Sequence, residues 1–126
     1  MNKKKDNPNN SFIDILKSLL STIPDIKSAG IVSVEGLPIA SIINNGINET
    51  KIAAMTAAHL SLAERSIMEM KNGEFDQLWI EGSDGQMVIL KAGENAVLMV
   101  SATNNVSVGL IILDCKRACK KIADLL

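Results

Sequence analysis

Gly30-Ile31-Val32-Ser33-Val34-Glu35-Gly36-Leu37-Pro38-Ile39-Ala40-Ser41 is the stretch that decides the fold. Residues 29–34 and 37–43 are two β-rich runs, and Glu35-Gly36 separates them. A two-residue link with glycine second predicts a hairpin, because glycine takes the positive φ of a tight turn without a Cβ clash. Pro38 has no N–H to give a central ladder, so the second strand is expected at a sheet edge or to begin irregularly. Asn44-Asn45-Gly46 then ends the unit with three turn formers.

Working outward, the residues before the hairpin read as a helix. Ser11 followed by Asp14 is a capping-box pattern, and Phe12, Ile15, Leu16, Leu19, Leu20 and Ile23 recur at helical spacing ahead of Pro24. Residues 1–10 are rich in Lys and Asn and have no hydrophobe after Met1, so they are expected to form a flexible polar tail before one domain spanning 11–126.

After the hairpin, Asn48 is a candidate N-cap for a long helix that reaches the Asn72-Gly73 stop signal. At 100° per residue, Ile52, Met55, His59, Leu60, Leu62, Ala63, Ile67 and Met70 cluster on one side, which is expected to face a sheet. The other side carries Ala54, Ala57, Ala58, Ser61, Arg65 and Met68, where a solvated helix would show Lys and Glu. Small side chains let another backbone approach, so this side is expected to pack on the same helix of a second copy.

Residues 75–81, 86–91 and 96–102 follow as three strands joined by the turns Gly82-Ser83-Asp84-Gly85 and 92–95, the pattern of an antiparallel meander. The last is almost wholly apolar and is expected to be central, covered on both faces. Asn104-Asn105 is expected to cap a final helix running to about residue 125, with Val108, Ile111, Ile112, Cys115, Ala118, Cys119, Ile122 and Leu126 on one side. Leu110 and Leu113 point away from that stripe and are a candidate partner surface.

The chain has 126 residues, and its 13 basic and 14 acidic residues leave a net charge of -1, so there is no positive field to hold nucleic acid. The polar start carries no secretory pattern and the apolar runs are far short of a span, so a cytoplasmic protein without membrane insertion is expected. Cys115 and Cys119 lie four apart in one predicted helix and read as buried thiols. His59, the sole histidine, has no nucleophile or ligand set at useful spacing, and the carboxylates form no motif. No phosphate-binding glycine run occurs. The expectation is no catalytic residue, no metal and no cofactor.

The order helix, hairpin, long helix, three-strand meander, helix resembles the Roadblock/dynein light-chain family. The resemblance rests on the opening stretch through Leu37-Pro38-Ile39-Ala40, on Ala53-Ala54-Met55-Thr56-Ala57-Ala58 through Leu62-Ala63-Glu64-Arg65, and on Trp79-Ile80-Glu81-Gly82 with Asp84-Gly85. It implies an α+β fold with profilin-like layering, in which a five-stranded antiparallel sheet lies between the long middle helix and the two terminal helices. It also implies a dimer in which middle helices pair and third strands join edge to edge. The implied contacts here are Ala54, Ala57, Ala58, Ser61, Arg65 and Met68 with Phe75, Gln77 and Trp79.

Members of that family are regulators and scaffolds rather than enzymes. Some bacterial members bind a Ras-like GTPase as dimers and speed hydrolysis, several eukaryotic members sit in complexes that hold small GTPases, and others attach to dynein intermediate chain. The stand-alone form of this chain resembles the prokaryotic type, so the resemblance implies a homodimer that binds a small GTPase. A structural adaptor without GTPase contact and a small-ligand sensor are the alternative readings.

Overall fold

The computed structural model describes residues 8–44 and 46–126. Along the chain these form α1 (Pro8–Thr22), β1 (Ile26–Ser33), β2 (Pro38–Ile42), α2 (Glu49–Glu69), β3 (Gln77–Gly82), β4 (Gly85–Lys91), β5 (Ala96–Ala102) and α3 (Val108–Leu125). The strands make one antiparallel sheet in the order β2-β1-β5-β4-β3. The apolar β5 is central and the Pro38 strand lies at an edge, as the sequence implies.

Local chemistry moves several boundaries. α1 starts at Pro8, not Ser11. Proline suits a first helical position, because its fixed φ is already helical and the N–H it lacks would find no partner there. Ser11 therefore lies within the helix and is no cap, and the expected tail gives up residues 8–10; its residues 1–7 lie outside the described ones. β1 begins at Ile26, which is buried and pairs with Ala102, although polar Lys27 and Ser28 conceal this in the sequence. α3 is capped by Ser107, whose hydroxyl accepts from the Leu110 N–H at 3.3 Å, rather than by Asn104-Asn105. The Asn104 amide instead donates to the Gly82 and Ser83 carbonyls at 3.1 and 3.2 Å, tying the loop before α3 to the β3–β4 turn.

α1 and α3 cover one face of the sheet. Phe12, Leu16 and Leu19 from α1 and Ile111, Cys115 and Ile122 from α3 close over Ile31, Val88, Leu98 and Val100. Each large side chain so buried contributes about 1.5–3 kcal/mol. Both cysteines belong to this core, and burial pushes each thiol up to about 12.

α2 lies on the opposite face, over β1, β2, β5 and β4. Its buried residues are Ala53, Thr56 and Leu60, not the stripe of large residues expected to face the sheet. Of that stripe, Leu60 alone is buried; Ile52, His59, Ala63 and Ile67 are half-buried, and Met55, Leu62 and Met70 are exposed. The hairpin turn explains the rotation. Gly36 has φ +98°, and a Cβ placed there would sit 3.4 Å from the Ala54 Cα and 3.5 Å from the Ala57 Cβ. Only small side chains fit where helix and turn come this close. The buried Thr56 hydroxyl is satisfied by the Ile52 carbonyl at 2.8 Å.

Replacing Gly36 by Ala should cost about 1–2 kcal/mol in chemical denaturation, since a residue with a Cβ is strained at this positive φ; a loss below about 0.3 kcal/mol would contradict the left-handed turn. The thiols set a second expectation. They keep their protons when folded and ionise near 9.0 when exposed, so their contribution is complete below that pH and is lost as pH rises toward about 12. Stability measured from pH 8.5 upward should therefore fall more steeply in the wild-type chain than in a Cys115→Ala, Cys119→Ala variant.

Candidate protein-binding face on the middle helix and third strand

The two edges of the sheet differ physically. At β2, Pro38 offers no N–H, the register slips where Ile31 pairs with Ala40 and Val32 with Pro38, and α1 and α2 lie over the strand. A proline, a bulge and a cover are the usual devices that keep an edge from pairing. β3 has none of them. It pairs with β4 in unbroken register from Gln77↔Leu90 to Gly82↔Gly85, and the helices leave it largely uncovered.

Beside this open edge runs the thinly seated α2. Leu62, Met68 and Met70 are between 64 % and 71 % exposed, and Met55 is 46 % exposed. Covering each would stabilise a complex by on the order of 1 kcal/mol. Between the second half of α2 and β3 lies an open groove of about 500 Å³, walled by His59, Leu62, Ile67, Phe75, Leu78 and Ile80. Its lining is chiefly apolar, the character of a contact surface. Among the described residues no group of three His, Cys, Asp or Glu gathers as metal ligands, and none of their helices is long and apolar enough to cross a membrane.

The structure distributes the candidate residues unevenly. Ala54, Ala58, Ser61, Arg65 and Met68 are exposed on α2, whereas Ala57 is half-buried against the Gly36 turn. Phe75, Gln77 and Trp79 do not share a face. Phe75 packs with Leu78 in the cluster under α2, while Trp79 projects to the α3 side, where its indole N–H donates to Gln86 Oε1 at 2.9 Å. Strict alternation from residue 75 fails because the regular strand begins only at Gln77. Leu78 and Ile80, which the sequence reading passes over, supply the groove wall. Their alternation with Gln77 and Trp79 is the signal that points to them. Leu110 and Leu113 are exposed on α3, which packs on the other face of the sheet.

Trp79 is anchored by a buried polar junction. The Gln86 side-chain amide accepts from it and donates to the Thr103 and Val106 carbonyls, both at 2.9 Å, which satisfies the amide and joins the β3 edge to the loop before α3.

A Roadblock/LC7 domain model matches residues 12–102. The chain belongs to the Roadblock/LC7 family. Uncharacterized protein MJ1340 of Methanocaldococcus jannaschii is 34% identical over 111 residues, which cover 88% of this chain and 96% of that protein. A structure of MglB with tetrameric arrangement matches with a TM-score of 0.86 at 17% identity, over 94% of this chain and 90% of that one. Myxococcus xanthus MglB matches with a TM-score of 0.83 at 22% identity, over 91% and 94%. At these identities the structural matches establish the fold, a Roadblock sheet with one long helix on one face and two helices on the other.

In this Roadblock domain, Gln86→Leu should strip partners from the indole N–H and two carbonyls, costing about 1–3 kcal/mol for each group that water fails to reach. Urea denaturation and Trp79 fluorescence read the two effects; an unchanged midpoint and emission maximum would show the junction to be idle.

Proposed function

We propose that this chain is a cytoplasmic homodimeric regulator or scaffold that binds a small Ras-like GTPase and acts through contacts rather than as an enzyme. The observation that carries the dimer is the pairing of a regular, uncovered edge strand, β3, with an adjoining helix whose large apolar side chains stand in water. An edge of free N–H and C=O groups is completed by another strand, and a second copy brings an identical strand and helix. Joined about a two-fold axis, two chains would extend the sheet through β3 and cover Met55, Leu62 and Met68. The MglB structure with a tetrameric arrangement supports self-association as a use of this fold. The GTPase partner rests on the family resemblance alone. The arginines that could reach a phosphate are Arg65, exposed on α2, and Arg117, which bonds Asp114 at 3.2 Å.

Light scattering should give about twice the 13.5 kDa chain mass. Ala58→Glu tests the face better than Ala57→Glu, because Ala57 also seats the hairpin turn within one chain. A charge at 58 should weaken the dimer at least tenfold while the helix content stays unchanged; an unaltered mass would place the interface elsewhere. Capture from cell lysate on the tagged protein, with GDP in one arm and a non-hydrolysable GTP analogue in the other, should enrich one small GTPase in a single arm. Equal capture in both arms would favour the constitutive adaptor.

A further inference from the structure

A second groove, of about 340 Å³, lies between α3 and the end of the sheet where β3 begins and β4 ends. Phe75 and Leu90 line it, and its charged groups are Lys91, Lys116, Lys120 and Asp76. Lys91 is engaged with Glu64 at 3.3 Å. Among the described residues, Lys116 and Lys120 have no ion-pair partner, and neither does Glu81 on the open strand. The groove therefore offers two uncommitted cations against one carboxylate.

The hairpin fixes what an incoming copy would place there. β3 and β4 are joined by the two-residue turn Ser83-Asp84, closed by the pair Gly82↔Gly85. Residues flanking such a turn exchange both backbone bonds, so by alternation Leu78 and Ile80 bond to β4 while Gln77, Trp79 and Glu81 turn their N–H and C=O groups to the open edge. The same three side chains project to the α3 side of the sheet, since Gln77, Trp79 and Glu81 stand opposite Leu90, Val88 and Gln86. Two antiparallel copies of β3 centred on Trp79 then set the partner's Glu81 opposite Gln77, and directly opposed residues share a face. That carboxylate comes to lie two strand spacings, about 10 Å, from Leu90 on the side where Lys116 and Lys120 stand. The clamp asks extended lysine and glutamate side chains to close that gap.

We infer that the partner's Glu81 seats against Lys116 and Lys120 in this groove, so that a symmetric pair of charge contacts clamps the two chains and fixes the register of the joined sheet. The inference rests on the dimer proposed above and adds to it the groups that choose its alignment. A carboxylate on an open edge repels indiscriminate strand pairing, and it is accommodated where the incoming chain brings cations beside it. A second copy of this chain does so.

Sedimentation equilibrium of the full chain at low and high salt tests this. The wild-type dimer constant should weaken with salt. Glu81→Lys should weaken the dimer on the order of tenfold at low salt, as should Lys116→Glu combined with Lys120→Glu. Putting all three reversals in one chain should restore the constant to within about threefold of wild type, a recovery that mere loss of stability does not give. Charge variants that dimerise like wild type, or a combined variant that shows no recovery, would overturn the clamp while Ala58→Glu still reports on the dimer. A wild-type chain that stays monomeric at high concentration would overturn both.

Discussion

The seat of the middle helix on the first hairpin is the contact on which the architecture turns. Gly36 takes a left-handed conformation that closes the turn, and the turn so closed lies against the backbone of α2 at Ala54 and Ala57. A helix held that closely presents small residues to its support. Ala53, Thr56 and Ala57 therefore point inward or to the turn, and Leu60 is the one large side chain that α2 buries. The rotation that satisfies the turn carries Met55, Leu62 and Met70 into water. Packing within the chain thus creates the exposed apolar surface, instead of leaving it over from an incomplete core.

The same economy separates the two faces of the sheet. α1 and α3 bring a long series of large apolar side chains to one face, and the core there is closed enough to hold two thiols in their protonated form. The α2 face has a smaller cluster around Leu60, Ile89, Val97 and Met99, open toward Phe75 and Leu78 at the β3 side. Stability rests mainly on the first face, which frees the second for contact. Edge chemistry runs parallel: β2 carries a proline and a bulge, whereas β3 keeps a regular register and free backbone groups. Both asymmetries converge on one side of the molecule. There the junction of Trp79, Gln86, Thr103 and Val106 holds the edge against the loop that starts α3.

Much of the fold was legible because it is written in short-range chemistry. Glycine in the hairpin link, Pro38 at its edge strand, Asn48 as a helix cap, the two-residue turn after Gly82 and the wholly apolar β5 each act within a few residues, and each appears where the local pattern places it. The family follows from those signals taken together. Boundaries were less legible where one residue type serves two roles: Pro8 opens a helix ahead of the Ser11–Asp14 capping pattern, and Asn104, by pattern a cap, reaches across to the β3–β4 turn. Of the candidate face, the small side of α2 was visible as an anomaly in composition.

By itself, the sequence determined the order of elements, the hairpin geometry, the central strand and the family, because periodicity, capping and turn conformation are set by neighbours along the chain. Only the tertiary structure decided which way α2 faces, that Leu78 and Trp79 serve opposite sides of the sheet, and that Lys116 and Lys120 share a groove with Phe75 and Leu90 where β3 begins. A helix with apolar residues on two sides has no local preference between them. The choice is made by how near the Gly36 turn allows its backbone to come, and that distance exists only after the chain has folded.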